Sequence, residues 1–282
     1  MVTSFKDLGK STRELFDKHF KFGVINVLFK TKTPHDIGLS LSGTHDLKAQ
    51  SVAGFMETKL KPTKGVSIKT KVDSAWVISS EVEVEDKLYP DLEHEVLASV
   101  ETESGKKSLT LKNKFKHDLI NLALDADFQT RYPQLTAAFC VPVPNFKNIV
   151  IGGQAVIDSS PFKLKKHVYA IGFKQDDLRL HAALTNHSNV DLNVYQEHKD
   201  IELGFKLNWN KDTRETNYGA AVRYKPSSKS AVKIRVDQHC LVGLSYRLKL
   251  DSDTSITLCT EVDGKNLESG GHRYGLTFEY DD

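Results

Sequence analysis

From about residue 22 to the end of this 282-residue chain, apolar and polar residues alternate with a period of two, run after run. Ile25, Val27 and Phe29 alternate with Asn26, Leu28 and Lys30; Val66, Ile68 and Val72 oppose Lys69, Lys71 and Asp73. Ile120, Leu122, Leu124, Ala126 and Phe128 oppose Asn121, Asp125, Asp127 and Gln129. Ile201, Leu203, Phe205, Leu207 and Trp209 oppose Glu202, Lys206, Asn208 and Asn210, and Tyr274, Leu276, Phe278 and Tyr280 oppose Gly275, Thr277 and Glu279. Successive side chains of a strand point to opposite faces, so each run predicts a strand with one apolar face. Clusters such as Glu103-Ser104-Gly105-Lys106, Lys211-Asp212-Thr213 and Asp251-Ser252-Asp253 read as the hairpin turns between them.

At roughly 10 residues per strand and 3–4 per turn, this region holds about nineteen strands. Nothing else in it offers a surface to pack on. So long a meander breaks into domains or closes on itself, and a barrel of that size encloses water. The polar face then lines a lumen and the apolar face meets lipid. Aromatic residues at the ends of runs (Trp209, Tyr218, Tyr224, Tyr246, Tyr274 and Tyr280) suit girdles at two membrane interfaces. The mean hydropathy of −0.39 does not conflict with this, because polar residues dilute the apolar ones at every second position. No stretch approaches the roughly 18 consecutive apolar residues of a spanning helix. Thirty-nine basic against 37 acidic residues leave a formal charge of +2, which argues against a nucleic-acid partner held by bulk charge. Cys140, Cys240 and Cys259 are too scattered for a disulfide framework or a zinc cluster, and no cofactor is expected.

The first twenty residues differ. Phe5, Leu8, Leu15 and Phe16 recur at helical spacing among Lys6, Asp7, Lys10, Arg13, Glu14 and Asp17. This predicts an amphipathic helix started by Thr3 or Ser4. It has neither the apolar core of a secretory signal nor the acid-poor composition of a presequence, so it is expected to stay on the protein. The fold class is therefore an all-β membrane barrel of about nineteen strands. Residues 1–22 form the helix and linker, and residues 23–282 form the barrel.

Three segments carry a resemblance to a known family. Asp7-Leu8-Gly9-Lys10-Ser11, Phe22-Gly23 and Lys30-Thr31-Lys32 come first. Val82-Glu83-Val84-Glu85-Asp86 and then Asp263-Gly264-Lys265-Asn266 with Gly270-Gly271-His272 and Gly275 follow. In order and spacing these resemble the voltage-dependent anion channel (mitochondrial porin) family, and the similarity runs end to end as in a divergent paralogue. That family's barrel is itself nineteen-stranded. The resemblance implies a passive pore of the mitochondrial outer membrane with the helix inside the lumen, and no enzymatic activity. Arg273, Gly275, Phe278 and Tyr280 resemble the family's targeting β-signal.

Several residue roles follow from the resemblance alone. Lys10 and Lys18 match nucleotide-contacting lysines. With Arg13 they would present cations to metabolite anions passing in company with small ions. Leu8 matches the residue that docks the helix on the wall. Gly23 keeps one glycine of the family's hinge, whereas His19 and Lys21 stand where others would be. Side chains there are expected to deny the backbone positive φ and stiffen the linker, which puts voltage gating in doubt. The nicotinamide-nucleotide region maps onto Leu241, Val242, Gly243 and Cys259, Thr260, Glu261, Val262, Asp263. The family's lipid-facing glutamate falls at Thr70, which removes the basis for hexokinase-type docking. The implied surroundings are outer-membrane lipid and solutes in transit, with room for a homo-oligomer.

One charge feature belongs to this chain. Between Glu81 and Glu103 lie nine acids and one base, Lys87, a formal −8. Glu81, Glu83 and Glu85 alternate with Val82 and Val84 and so share the polar face. Acidic rings favour cations, which predicts anion selectivity weakened or reversed. No P-loop, zinc-protease or Ser/His/Asp pattern gives an enzyme reading a residue to rest on. A protein-translocation pore, a non-conducting barrel serving as an interaction platform and a soluble all-β binding protein are the competing readings.

Overall fold

The computed structural model describes residues 3–86, 89–129, 132–160, 162–268 and 270–282. Lys87, counted in the acidic stretch, lies outside them. Nineteen strands among the described residues pair in chain order, and β1 (Val24–Lys32) closes on β19 (Arg273–Asp281). That closing pair is parallel, from Ile25 opposite Leu276 to Lys30 opposite Asp281. Parallel closure follows from the count, because an odd-numbered antiparallel meander leaves its first and last strands pointing the same way. The fold is a closed nineteen-stranded β-barrel with one short N-terminal helix.

The alternating runs become strands with bounds close to those expected: β4 (Val66–Asp73), β8 (Asn121–Asp127) and β14 (Ile201–Asn210). Their burial is inverted relative to a soluble protein. Glu93, Glu95, Glu202, Lys233 and Glu261 are buried, while Ile25, Leu203, Phe205, Ile234, Leu258 and Phe278 are exposed. Large apolar side chains exposed on strand after strand are tolerated only against lipid. Trp209, Tyr218 and Tyr274 stand toward one end of their strands and Tyr224, Tyr246 and Tyr280 toward the other. Tyr280 stacks on Phe29 with ring centroids 5.0 Å apart.

The chain falls into two compact units. One comprises Met1–Leu8, Thr31–Leu41 and Ala53–Ile171. In it a single 3-10 turn (Phe5–Asp7) lies against β9 (Gln134–Val143) and β10 (Phe146–Ser159). Gly152 of β10 sits opposite Cys140 of β9, and a Cβ added at Gly152 would stand 2.9 Å from the Phe5 ring. Only a glycine leaves the aromatic ring room to reach the sheet.

The second unit comprises Gly9–Lys30, Ser42–Val52 and Gly172–Asp282. It carries α1 (Lys10–Asp17), which packs on β13 (Asn189–His198), β14 and β15 (Thr216–Ser227). The expected continuous helix from Ser4 is thus split. Gly9 takes φ +70° as the N-cap of α1, a left-handed conformation that ends the preceding turn. Ser4 instead donates its hydroxyl to the Asp7 carboxylate at 2.6 Å.

Candidate pore-lining site

The helix is seated by side-chain size. Leu15 and Phe16 form an apolar cluster with Tyr195 and Ala221, the inward-facing residues beneath them. A Cβ at Gly204 would come within 2.7 Å of Leu15, and one at Gly219 within 3.3 Å of Phe16. Thr12 donates its hydroxyl to the Val194 carbonyl at 3.5 Å, and Ser11 accepts from Arg179. Lys206 places its ammonium 4.5 Å from the centre of the Phe16 ring. The wall has small residues where the helix touches it and cations around that contact.

The opposite helix face holds Lys10, Arg13, Glu14, Asp17 and, just beyond the helix, Lys18, all exposed. The three predicted cations therefore share the lumenal face of α1, but two carboxylates accompany them. The helix presents a net charge of +1 rather than +3. Leu8 is buried, at the C-cap of the first turn in the other unit.

Two basic residues of β16 (Ser230–Asp237) reach the end of the helix. Lys233 donates to the carbonyls of Glu14 (3.3 Å) and Lys18 (3.1 Å), and Arg235 donates to that of Phe16 (2.7 Å). Helix C-termini leave carbonyls unsatisfied and carry partial negative charge, so cations are favoured there. Arg235 also lies 4.7 Å from the Phe20 ring centre and 4.9 Å from that of Phe22.

The linker follows the same wall. His19 has φ +72°, so the expectation that a side chain would deny this position a positive φ does not hold. Its imidazole is locked in place instead: Arg247 donates to Nε2 at 3.3 Å, while binding Glu279 at 2.9 Å and Ser255 at 3.0 Å. Burial, reinforced by the charges of Lys233, Arg247, Lys18 and Arg223, lowers the His19 pKa to about 3. The ring is neutral at pH 7 and can accept that hydrogen bond. Lys21 lays its carbonyl on Gly275 and accepts from the Cys259 thiol at 3.2 Å. Gly23 has φ +74°, yet its N–H bonds the Tyr274 carbonyl (2.7 Å) and its carbonyl accepts from Leu47 (2.9 Å). It is a pinned corner.

Alternation divides the predicted nicotinamide-nucleotide residues between two faces. On β17 (Leu241–Lys249) and β18 (Thr254–Asp263), Leu241, Gly243, Cys259, Glu261 and Asp263 share the inward face, and Val242, Thr260 and Val262 point the other way. The inward group is largely covered. Phe22 and Arg235 lie over Gly243, Lys21 over Cys259, and Arg235 and Arg273 bind Glu261. Of the targeting residues, Arg273 therefore holds an ion pair and Gly275 a backbone contact. Phe278 is exposed on the outer face, which Tyr280 shares.

In the first unit the acidic stretch meets lysines from neighbouring strands. β5 (Val77–Glu85), β6 (Leu92–Glu101) and β7 (Lys107–Lys116) are in register, with Glu83 opposite Glu95 and Glu95 opposite Lys112. Lys69 pairs with Glu81; Lys112 binds Glu95 at 2.5 Å; Lys114 and Lys116 each bind Glu93 at 2.5 Å. Ser67 donates to Glu83 at 3.0 Å, and Glu85 is exposed at the strand end. Asp86 and Asp91 lie in the turn between β5 and β6. On the inward face of β4–β7, seven carboxylates (Asp73, Glu81, Glu83, Glu85, Glu93, Glu95, Glu101) stand among five ammonium groups (Lys69, Lys71, Lys112, Lys114, Lys116). The formal −8 is a property of the sequence window; on this face the lysines cut the excess to two negative charges. Thr70 lies on the outer face between Thr58 and Ser80.

Lys112, Lys114, Lys116, Lys233 and Arg235 were not singled out from sequence. Their alternation with Leu111, Asn113 and Phe115, or with Val232, Ile234 and Val236, was the available signal. Among the described residues no cluster of His, Cys, Asp and Glu could hold a metal.

Comparison with known proteins agrees with this architecture. The profile described as eukaryotic porin matches residues 2–275. The chain is 31% identical to the Xenopus laevis "Non-selective voltage-gated ion channel VDAC2" over 98% of both chains. It is 29% identical to Homo sapiens VDAC2, covering 98% of this chain and 94% of that one, and 29% identical to Rattus norvegicus VDAC1 over 98% of both. A closed nineteen-stranded barrel, an inward-docked helix and a family match across nearly its whole length lead to one conclusion: this chain belongs to the eukaryotic porin family.

Proposed function

We propose that the protein is a diffusion pore of the mitochondrial outer membrane, passing small ions of both signs and metabolite anions such as nucleotides with weak selectivity. As a member of a channel family it is not an enzyme. The observation that carries the reading is the inward face of β4–β7, where lysines in register pair with Glu81, Glu93 and Glu95 and leave only a small acidic excess. Fixed charge around a wide lumen sets selectivity, so paired charge gives little of it. Relatives named as non-selective voltage-gated ion channels support this. The acidic stretch then weakens anion preference without reversing it.

Lys10, Arg13 and Lys18 provide modest local attraction for phosphate-bearing anions, offset by Glu14 and Asp17 and screened over about 8 Å at physiological salt. Voltage closure is impeded, because His19 is wedged and Gly23 is bonded on both sides. That tethering also favours the second reading, a non-conducting platform. One measurement separates them: reconstitution in a planar bilayer across a KCl gradient. Stable conductance with a small reversal potential is expected. Absence of conductance supports the platform, and a strongly anion-selective pore overturns the charge reading.

A further inference from the structure

The inward wall of the second unit pairs most of its cations with carboxylates. Arg223 and Lys225 bind Glu202, Arg235 and Arg273 bind Glu261, and Arg247 binds Glu279. Lys233 differs. It is 4% exposed, yet among the described residues no carboxylate lies within ion-pairing distance of it. A buried ammonium without a counter-charge is expensive unless hydrogen bonds and local dipoles replace its water. Here the hydrogen bonds come from the N-terminal segment, through the Glu14 and Lys18 carbonyls.

We infer that Lys233, seconded by Arg235, is a latch that holds residues 14–22 on the barrel wall, and that its charge becomes available to the lumen only when that segment lifts. While the segment is docked, the ammonium is spent on the C-terminal end of α1. Once it lifts, Lys233 faces water as an unpaired cation, and the released pore attracts anions more than the docked one. Lys233 is a positioning residue in the first state and a selectivity residue in the second. The site is self-contained: the helix needs a cation at its end, and the lysine needs the helix to justify its burial.

A native thiol reports the docked state. Cys259 is buried beneath the Lys21 carbonyl, whereas Cys240 is exposed in a turn and serves as an internal control. In the full chain refolded into lipid, maleimide labelling of each cysteine is followed by mass spectrometry. Lys233→Met is expected to speed labelling of Cys259 relative to Cys240 by at least about tenfold, the factor for losing a charge-assisted hydrogen bond. Lys233→Arg keeps charge and donors and is expected to restore the slow rate. Unchanged protection in Lys233→Met, or equal acceleration in Lys233→Arg, overturns the latch. Should Lys233→Met not refold, Arg235→Gln carries the same decision.

The return of charge is tested by reversal potential. Lys233→Gln should shift it toward cations by more in a Gly204→Val background, where the helix is displaced, than in the otherwise native chain. Equal shifts overturn this half. It rests on the pore reading, whereas the labelling half needs no conduction, so the two can fail separately.

Discussion

The two units solve one problem differently. Each places charged side chains on the inner face of its strands, where they lose part of their water. The unit containing β4–β7 neutralises them sideways, with Glu93 and Glu95 meeting Lys112, Lys114 and Lys116 across a strand boundary. The unit containing β12 (Leu178–Thr185) to β19 uses such pairs too, but commits Lys233 and part of Arg235 to main-chain carbonyls of the docked helix. Sideways pairing lasts as long as the sheet, because neighbouring strands cannot leave. Pairing to the helix lasts only as long as the helix stays. Charge in the first unit is therefore fixed, and in the second it depends on conformation.

The largest expected effect breaks the fixed half. Replacing Lys112, Lys114 and Lys116 together by Gln leaves seven carboxylates facing two lysines on the inward face of β4–β7, and should turn the pore clearly cation-preferring. Reversal potential in a salt gradient measures it, and an unchanged value would show that this wall does not set selectivity. Next comes Leu15→Ala, which empties the apolar seat of the helix and should cost about 2–4 kcal/mol of docking. Limited proteolysis of the N-terminal segment reads this, with sheet content by circular dichroism unchanged.

Gly275→Ala sharpens the contrast, since a methyl group there meets the Lys21 backbone while leaving the first unit untouched. A loss of about 1–3 kcal/mol of linker docking is expected, visible as faster labelling of Cys259 but not of Cys140. The smallest effect is a pH response. The docked His19 has its pKa lowered to about 3, so the released imidazole binds a proton that the docked one refuses. Docking is fully supported above the ordinary imidazole value near 6.5 and weakens as pH falls from there toward 3, by at most about 1.4 kcal/mol per pH unit. Labelling of Cys259 between pH 7.5 and 5, corrected for thiolate fraction with Cys240, should show this loosening, and His19→Gln should abolish it.

Much of this was readable from residues because strand periodicity is local. Val66, Ile68 and Val72 opposite Lys69 and Lys71 predict β4 almost to its ends. The pairing of the acidic sector was not legible, because a window of sequence is not a patch of surface. Glu93 lies more than twenty residues from Lys114 and Lys116 in the chain, yet 2.5 Å from both. The positive φ at His19 was hidden for a related reason: it is imposed by the pocket around the ring, and no propensity of histidine contains that pocket. Likewise the helix break at Gly9 comes from one backbone angle in a stretch whose apolar spacing runs on without interruption.

The alternation of side chains by itself determined that this chain forms strands, that they number about nineteen, and that their oily faces need lipid, since each of these follows from neighbours in sequence and from length. Tertiary structure alone decided which charges cancel, where the N-terminal segment rests, and which glycines are corners or cradles. Those outcomes depend on atoms brought together by barrel closure, and electrostatic pairing and steric fit act over a few ångströms of space whatever the distance along the chain.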